Sequence, residues 1–522
     1  MINLRKISGA LIVVFSALLV VAIFISLLNV SDIQTSSALK PDIFLLVSKS
    51  AFQAFLSVVF SLLFGVLLAW SLNRLSFFGR NLLIGLYAAA IVMPAIIIAV
   101  GVIGIWGRAG FVNQMFEIVG FGKIGSIFGL HGIVLAHTIL SGAFAARVFL
   151  TRLDAIPAKA LKIGQNLRFG AWLRFKTLDL PAMVGALPTL SVIIFLLSFT
   201  SFPIVLLLGG GPDNQTLEVA IYSAVRLNFD LNSAVQMALI QLGISFIIIL
   251  PAIFYLPTII DIEKTPKQKW FDEKPVIFFQ AGILIFGTLL FLSPLLSVLF
   301  DGFSRNAYLI FFKSSFWNAF FISIIIGILS AILNLFFTFG LCFARAEIKN
   351  KTMRAIFYLP VFAFMIVPSV VLSLGFFISV QNLGLEPVFA APFVLILANA
   401  LLVLPFSVAT LSPPIEAANK KYSRVIKTLK LSGLRRFKTI ELPMFGKEIG
   451  LVLALSFCFS LGDLGIISLF GTEDFATLPW LMVRAMGAYR NNDAQSIAAI
   501  MLILTLVVFW LLPKMIKRIS DA

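Results

Sequence analysis

Few side chains in this sequence have the type and spacing to do chemistry, and those few sit within long apolar runs. Ser198, Thr200 and Ser201 close one such run, and 262 positions later Ser460, Gly462 and Asp463 close another. Ionisable groups at membrane depth are costly and mark solute or ion paths. Asp463 is the sharpest of the set and has two readings. It lines a path and attracts a cation, or it is a structural acceptor for a neighbouring helix end or a group in the headgroup layer. His137 in one run faces Asn399 in its counterpart at the same offset of 262. That pairing favours an interhelical hydrogen bond of about 0.5–2 kcal/mol over metal ligation.

Other chemistries lack their parts. Gly122-Lys123 and Gly446-Lys447 are followed by Ile124 and Glu448, with no glycine at the required earlier position, so the chain carries no phosphate-binding P-loop. Gly209 to Pro212 reads as a turn. No nucleophile and base, paired carboxylates or metal-ligand spacing is present, so no catalytic, cofactor or metal residue is assigned. Cys342 and Cys458 lie in apolar runs and read as small core residues without a disulfide framework.

These residues need elements that hold them in lipid. Of 522 residues 60% are apolar and 12% charged, with a mean hydropathy of +1.06, which is the composition of an integral membrane protein. The net charge of +17 resides in short gaps between apolar runs, where it orients helices, and no nucleic-acid-reading pattern accompanies it. Runs of about 20 residues, long enough to cross the hydrocarbon, fall at 9–30, 50–72, 81–106, 129–150, 183–207, 232–257, 276–300, 316–343, 355–380, 389–411, 446–470 and 494–513. The first follows Arg5 and Lys6 without a clean cleavage site and reads as a retained span, not a signal peptide. With both termini inside, 31 of the 40 basic residues lie in inner segments and nine in outer ones.

The twelve spans divide into two copies. Arg174 to Pro181 reads RFKTLDLP and Arg436 to Pro443 reads RFKTIELP, again 262 apart. The expected organisation is a first half at 1–258 with an inner loop at 151–181, a cytoplasmic joint at 259–275, and a second half at 276–522 with an inner loop at 412–443. Related halves are a common way to build transporters. Each RFKT stretch ends in a proline that opens the next span, where a missing amide hydrogen is harmless. Upstream, the basic segments Lys162 to Leu173 and Arg424 to Arg435 are expected to turn at Gly170 and Gly433. Pro94 and Pro368 recur within the third and ninth spans and predict kinks there.

A cytoplasmic loop with a short helix, a turn and an ending of Ile-x-Leu-Pro resembles the EAA loop of ABC-importer permeases. Counting back nineteen positions from the prolines gives Lys162 and Arg424 where that family often has Glu, and its loop glycine would fall at Arg168 and Lys430. The segments Phe199 to Ala234, Ser460 to Ala494 and Gly104 to Gln114 are similar to the outer-mouth segments of thiamine ABC-transporter permeases, and the ferric-iron permeases are the nearest alternative. The resemblance implies an all-α, type I importer permease in a bacterial inner membrane. It would carry thiamine or its phosphate esters, with two ATPase subunits inside holding the ATP and magnesium, and a periplasmic or lipid-anchored binding protein outside. It also implies that Gln165, Asn166, Leu167, Arg168, Phe169, Gly170, Phe175 and Pro181, with Thr428, Leu429, Lys430, Leu431, Ser432, Gly433, Phe437 and Pro443, form the loops on which the ATPases dock. Asp463 would then meet a thiazolium cation. A secondary transporter driven by an ion gradient, the reading from another class, needs acidic or histidine groups deep in several spans, where Asp463 is nearly alone.

Overall fold

The computed structural model describes residues 4–31, 42–120, 122, 125–254, 270, 272–304, 307–348, 350, 353, 354, 357–429, 431 and 433–521. Among these every regular element is helical, as backbone amides in hydrocarbon require when no sheet closes on itself. We number the twelve principal helices α1 (Leu4–Ser31), α2 (Ile43–Arg74), α3 (Ala95–Trp106), α4 (Leu130–Asp154), α5 (Leu187–Phe199), α6 (Leu231–Phe254), α7 (Lys274–Gly302), α8 (Ser314–Ala346), α9 (Ser369–Asn382), α10 (Pro387–Thr428), α11 (Leu442–Gly462) and α12 (Asn491–Asp521). Ten described helices are long and apolar enough to cross a membrane, and joining two bent pairs gives up to twelve. The chain is a multi-pass membrane protein.

The recurring prolines do more than kink their spans. Pro94 is the extended residue before α3, and the short helix Arg80–Ala89 ends ahead of it; Pro368 stands in the same place before α9. Each third span of a copy is therefore interrupted. A proline cannot donate to the preceding turn and its ring crowds the carbonyl there, so a helix resumes after it as a new segment.

The helices pack into two compact units. One comprises Asp42–Val219 and Gly243–Asp301, the other Met1–Pro41, Ala220–Leu242 and Gly302–Ala522. These units do not coincide with the sequence copies: each copy's leading helix packs among helices of the other copy, and Ala220–Leu242 of the first copy falls in the unit that holds most of the second. In the second unit α1 lies against α8, where a side chain added at Gly9 would meet Ala344 Cβ at 2.2 Å and one at Gly340 would meet Ile12 Cδ1 at 2.3 Å. In the first, α7 lies against α3, and a Cβ on Gly101 would come 2.3 Å from the Pro294 carbonyl oxygen. Close backbone approach of this kind is how helices associate in lipid, which supplies no hydrophobic drive between them. The core around α1 joins Ile12 to Phe337, Leu341, Phe364, Leu401 and Leu404.

Candidate functional site: two equivalent loops and two helix breaks

After α4 the chain forms the helix Ala158–Asn166, whereas α10 runs without interruption to Thr428. The two segments end in the same turn. Leu167 N–H donates to the Ile163 carbonyl at 2.9 Å and Phe169 N–H to Gly164 at 2.9 Å; Leu429 N–H donates to Val425 at 2.9 Å and Leu431 N–H to Ile426 at 3.0 Å. A bond spanning five residues back marks a helix end that usually places glycine in left-handed backbone. In the first loop that residue is Arg168, with φ of 51°, while Gly170 has φ of −67° and caps the next helix. The turn is thus at Arg168, where the resemblance sets the family's glycine, and not at Gly170 as the sequence suggested. In the second loop Gly433 does have a left-handed φ, of 54°. Lys430 and Ser432 lie outside the described residues.

The RFKT stretches fold alike. Phe175–Asp179 and Phe437–Glu441 are single π-helical turns closed by Leu180 N–H to Phe175 O and Leu442 N–H to Phe437 O. Pro181 and Pro443 have no hydrogen for the carbonyl four residues back, and the widened turn accommodates that loss. Each turn brings an arginine onto an acid five residues later: Arg174 Nε to Asp179 Oδ1 at 3.5 Å, and Arg436 Nε to Glu441 Oε1 at 2.8 Å. Both acids are buried. Burial, and after it the charge of Arg5, lower the Arg436 pKa, yet a guanidinium keeps its proton in a protein.

Each recurring phenylalanine is an anchor to the bundle. Phe175 meets the Trp70 ring edge-on at 5.9 Å and stacks on Trp172, and Phe437 meets Phe339 edge-on at 5.5 Å. Phe169 is half-buried, and a side chain at Gly164 would come within 3.2 Å of both its ring and that of Trp270. Asn166, Arg168, Gly170, Pro181, Thr428, Gly433 and Pro443 are exposed, Gln165 and Leu431 half-buried. The apolar side chains that face outward repeat at the offset of 262: Ile163 is 59% and Leu167 64% exposed, Val425 43% and Leu429 62%. Spaced four apart, each pair lies on one helix face.

Several participants escaped the sequence reading. Asp154 accepts from Asn73 Nδ2 at 3.2 Å, and Glu416, its counterpart at the 262 offset, binds Arg345 at 2.7 Å and also Arg354. The offset itself was the signal for that pair. Arg5, Arg74, Trp270 and Asp272 also bear on the loops; of these the sequence reading used only Arg5 and Arg74, as charges that set topology.

At the far end of the fifth and eleventh spans both copies break alike. After α5, Thr200 and Ser201 leave the helix before Phe202–Leu208; after α11, Asp463 and Leu464 do so before Gly465–Phe470. Ser198 is wholly buried and its carbonyl accepts from Gln53 Nε2 at 2.6 Å, while Thr200 donates to Leu196 O within its own helix at 2.8 Å. Ser201 is buried. Ser460 Oγ receives Asn399 Nδ2 at 3.0 Å, and both Asp463 oxygens lie 3.3 Å from the Ile466 amide, so the half-buried carboxylate caps the next short helix. His137 Nδ1 pairs with Ser57 Oγ at 3.1 Å between α4 and α2, so each member of the His137/Asn399 pair makes the interhelical bond expected of it.

Interrupted spans in duplicate, with two equivalent basic loops that present apolar pairs, define the all-helical permease subunit of an ATP-binding-cassette importer, a transport subunit and not an enzyme. No protein-family profile matches the chain. Relatives align over nearly its full length. It is 34% identical over 467 residues to the thiamine transport system permease protein ThiP of Haemophilus influenzae, covering 88% of this chain and 86% of that one. It is 30% identical to the proteins of the same name from Escherichia coli, over 476 residues (90% and 88%), and Brucella melitensis, over 468 residues (87% and 84%). The chain belongs to the family of thiamine transport system permease proteins. A shorter match, 26% identical over 198 residues, joins 37% of it to 85% of the Escherichia coli molybdenum transport system permease protein ModB.

Proposed function

We propose that this chain carries thiamine or its phosphate esters across a bacterial inner membrane, from a periplasmic or lipid-anchored binding protein to the cytoplasm. Both termini are cytoplasmic in this reading, and two ATPase subunits, which hold the ATP and magnesium, dock on the loops at 151–181 and 412–443. The observation that carries it is the repeated outward pair, Ile163 with Leu167 and Val425 with Leu429, set at one register on two equivalent helix ends. Exposed apolar side chains at matched positions fit matched grooves on two copies of one partner, and the basic residues beside them suit an acidic rim. The 31 to 9 partition of Lys and Arg supports the orientation, and the names of the relatives support the solute.

Of the residues suggested for the solute path, Ser201 and Asp463 stand at the two helix breaks, the kind of discontinuity at which transporters build solute sites. Ser198, Thr200 and Ser460 support the breaks through the bonds given above. The decisive experiment is uptake of radiolabelled thiamine in cells lacking this chain, with Fe(III) uptake measured alongside. Loss of thiamine uptake alone is expected. Intact thiamine uptake with lost iron uptake would retain the permease and overturn the solute.

A further inference from the structure

Each docking loop is gripped from the N-terminal end of a leading helix, by Arg5 in the first turn of α1 and by residues just ahead of α7, and the helix always comes from the other copy. In the unit that contains α1, Arg5 forks onto Glu441, with Nη1 to Oε1 at 2.7 Å and Nη2 to Oε2 at 3.0 Å, and its guanidinium lies 4.3 Å over the Phe343 ring. Glu441 closes the π-turn of the second loop. In the unit that contains α7, Trp270 and Asp272 precede that helix; Trp270 touches the first loop, and Asp272 reaches it through Arg74 of α2. The Trp270 ring lies 4.3 Å from the Arg174 guanidinium and against Gly164, and Asp272 Oδ1 is 3.8 Å from Arg74 Nη1, whose Nη2 binds Asp179 at 2.5 Å. Gln280 Nε2, within α7, donates to Asp272 at 2.9 Å and ties the clamp to its helix.

We propose that these clamps transmit force: Arg5 and the Trp270/Asp272 pair are positioning residues that bind movement of each ATPase-docking loop to the other copy's leading helix. Two observations favour this over simple anchoring. The clamps converge on the one stretch of sequence repeated most closely in the chain, Arg5 directly on Glu441 and the other pair on Arg174 and on Arg74, the two arginines that hold Asp179, and they sit on opposite copies although nothing in the chemistry of the two flanks is alike. A bidentate guanidinium and carboxylate pair resists both sliding and rotation, and an indole between a guanidinium and a glycine backbone leaves the first loop little room to tilt. A loop displaced by its ATPase therefore drags α1 or α7 with it.

The inference rests on the ATPase-docking reading, and the test separates the two. The complete transporter, with its ATPase and binding protein, is reconstituted carrying Arg5→Gln, Arg5→Lys, Lys6→Gln or Asp272→Asn. The readouts are ATPase co-purification, ATP hydrolysis with and without loaded binding protein, and thiamine taken up per ATP hydrolysed. Arg5→Gln and Asp272→Asn are expected to keep the ATPase bound and to lower uptake per ATP about fivefold, the ratio that corresponds to ~1 kcal/mol of lost coupling. Arg5→Lys keeps the charge but not the fork and is expected to fall between Arg5→Gln and the parent. Lys6→Gln removes a neighbouring positive charge and is expected to leave the ratio unchanged. Equal loss in Arg5→Gln and Lys6→Gln would show that Arg5 acts only through topology, and an unchanged ratio in both Arg5→Gln and Asp272→Asn would equally overturn the proposal. Absence of ATPase from the parent preparation would instead remove the docking reading beneath it.

Discussion

Arg5 and Glu441 stand 436 residues apart in sequence, yet their side chains meet through two parallel hydrogen bonds of 2.7 and 3.0 Å. The contact exists because α1 leaves its own copy and packs against α8 and α9, where Gly375 accepts Ile23 and Gly340 accepts Ile12. It also explains the acid of the RFKT stretch. Glu441 and Asp179 each neutralise an arginine of their own turn and a second arginine from elsewhere, Arg5 for one and Arg74 for the other. A buried acid flanked by two guanidiniums cannot be removed without leaving charge unpaired.

The outward apolar pairs give the first prediction. Leu167→Glu and Leu429→Glu place a charge on each face proposed for ATPase docking while leaving the bundle untouched, since both side chains are more than three-fifths exposed. Each single change is expected to reduce the ATPase recovered with the chain, by about tenfold for a residue at the centre of a contact, and the double change to abolish it. Membrane insertion, read from protein level, should remain at the parent value.

Arg168 holds a left-handed conformation that disfavours any side chain. Arg168→Gly is expected to stabilise the chain by about 1 kcal/mol, seen as a higher unfolding temperature in detergent. Gly433→Val, the converse change at the left-handed residue of the second loop, is expected to lower it by a similar amount. An unfolding temperature unmoved by both would contradict the turn assignment.

The close crossing of α3 and α7 is the easiest to break. Any side chain at Gly101 meets the Pro294 backbone, which cannot swing aside. Gly101→Leu is expected to cost about 3 kcal/mol through overpacking and to remove most folded protein from the membrane fraction, while Gly282→Leu on α7, with nothing within 4 Å of an added Cβ, is expected to be tolerated.

At the second helix break the charge and the cap of Asp463 can be separated. Asn caps about as well as Asp, and Ala loses about 1 kcal/mol there. Asp463→Asn is expected to keep protein level and to raise the thiamine concentration needed for half-maximal uptake; Asp463→Ala is expected to lower protein level as well. Parent-like uptake by Asp463→Asn would leave the carboxylate a structural role alone.

Hydropathy and the repeat at an offset of 262 were enough to specify a duplicated, all-helical chain of ten to twelve membrane spans, because lipid admits so few backbone solutions and because RFKT(L/I)(D/E)LP is too specific to recur by chance. The repeat also located both loops, aligned the residues at which the two helix breaks fall, and pointed to the interhelical roles of His137 and Asn399. The shift of the turn from Gly170 to Arg168 was not legible, since glycine is only the preferred residue for a left-handed turn and the hydrogen bonds that close the helix end decide where it falls. Nor was the exchange of leading helices, or the grip of Arg5, Trp270 and Asp272 on the loops. Apolar periodicity says that a helix is buried in lipid or protein but not which neighbour it meets, so partners hundreds of residues apart are chosen only when small residues such as Gly9, Gly340 and Gly101 fit specific surfaces in the folded chain.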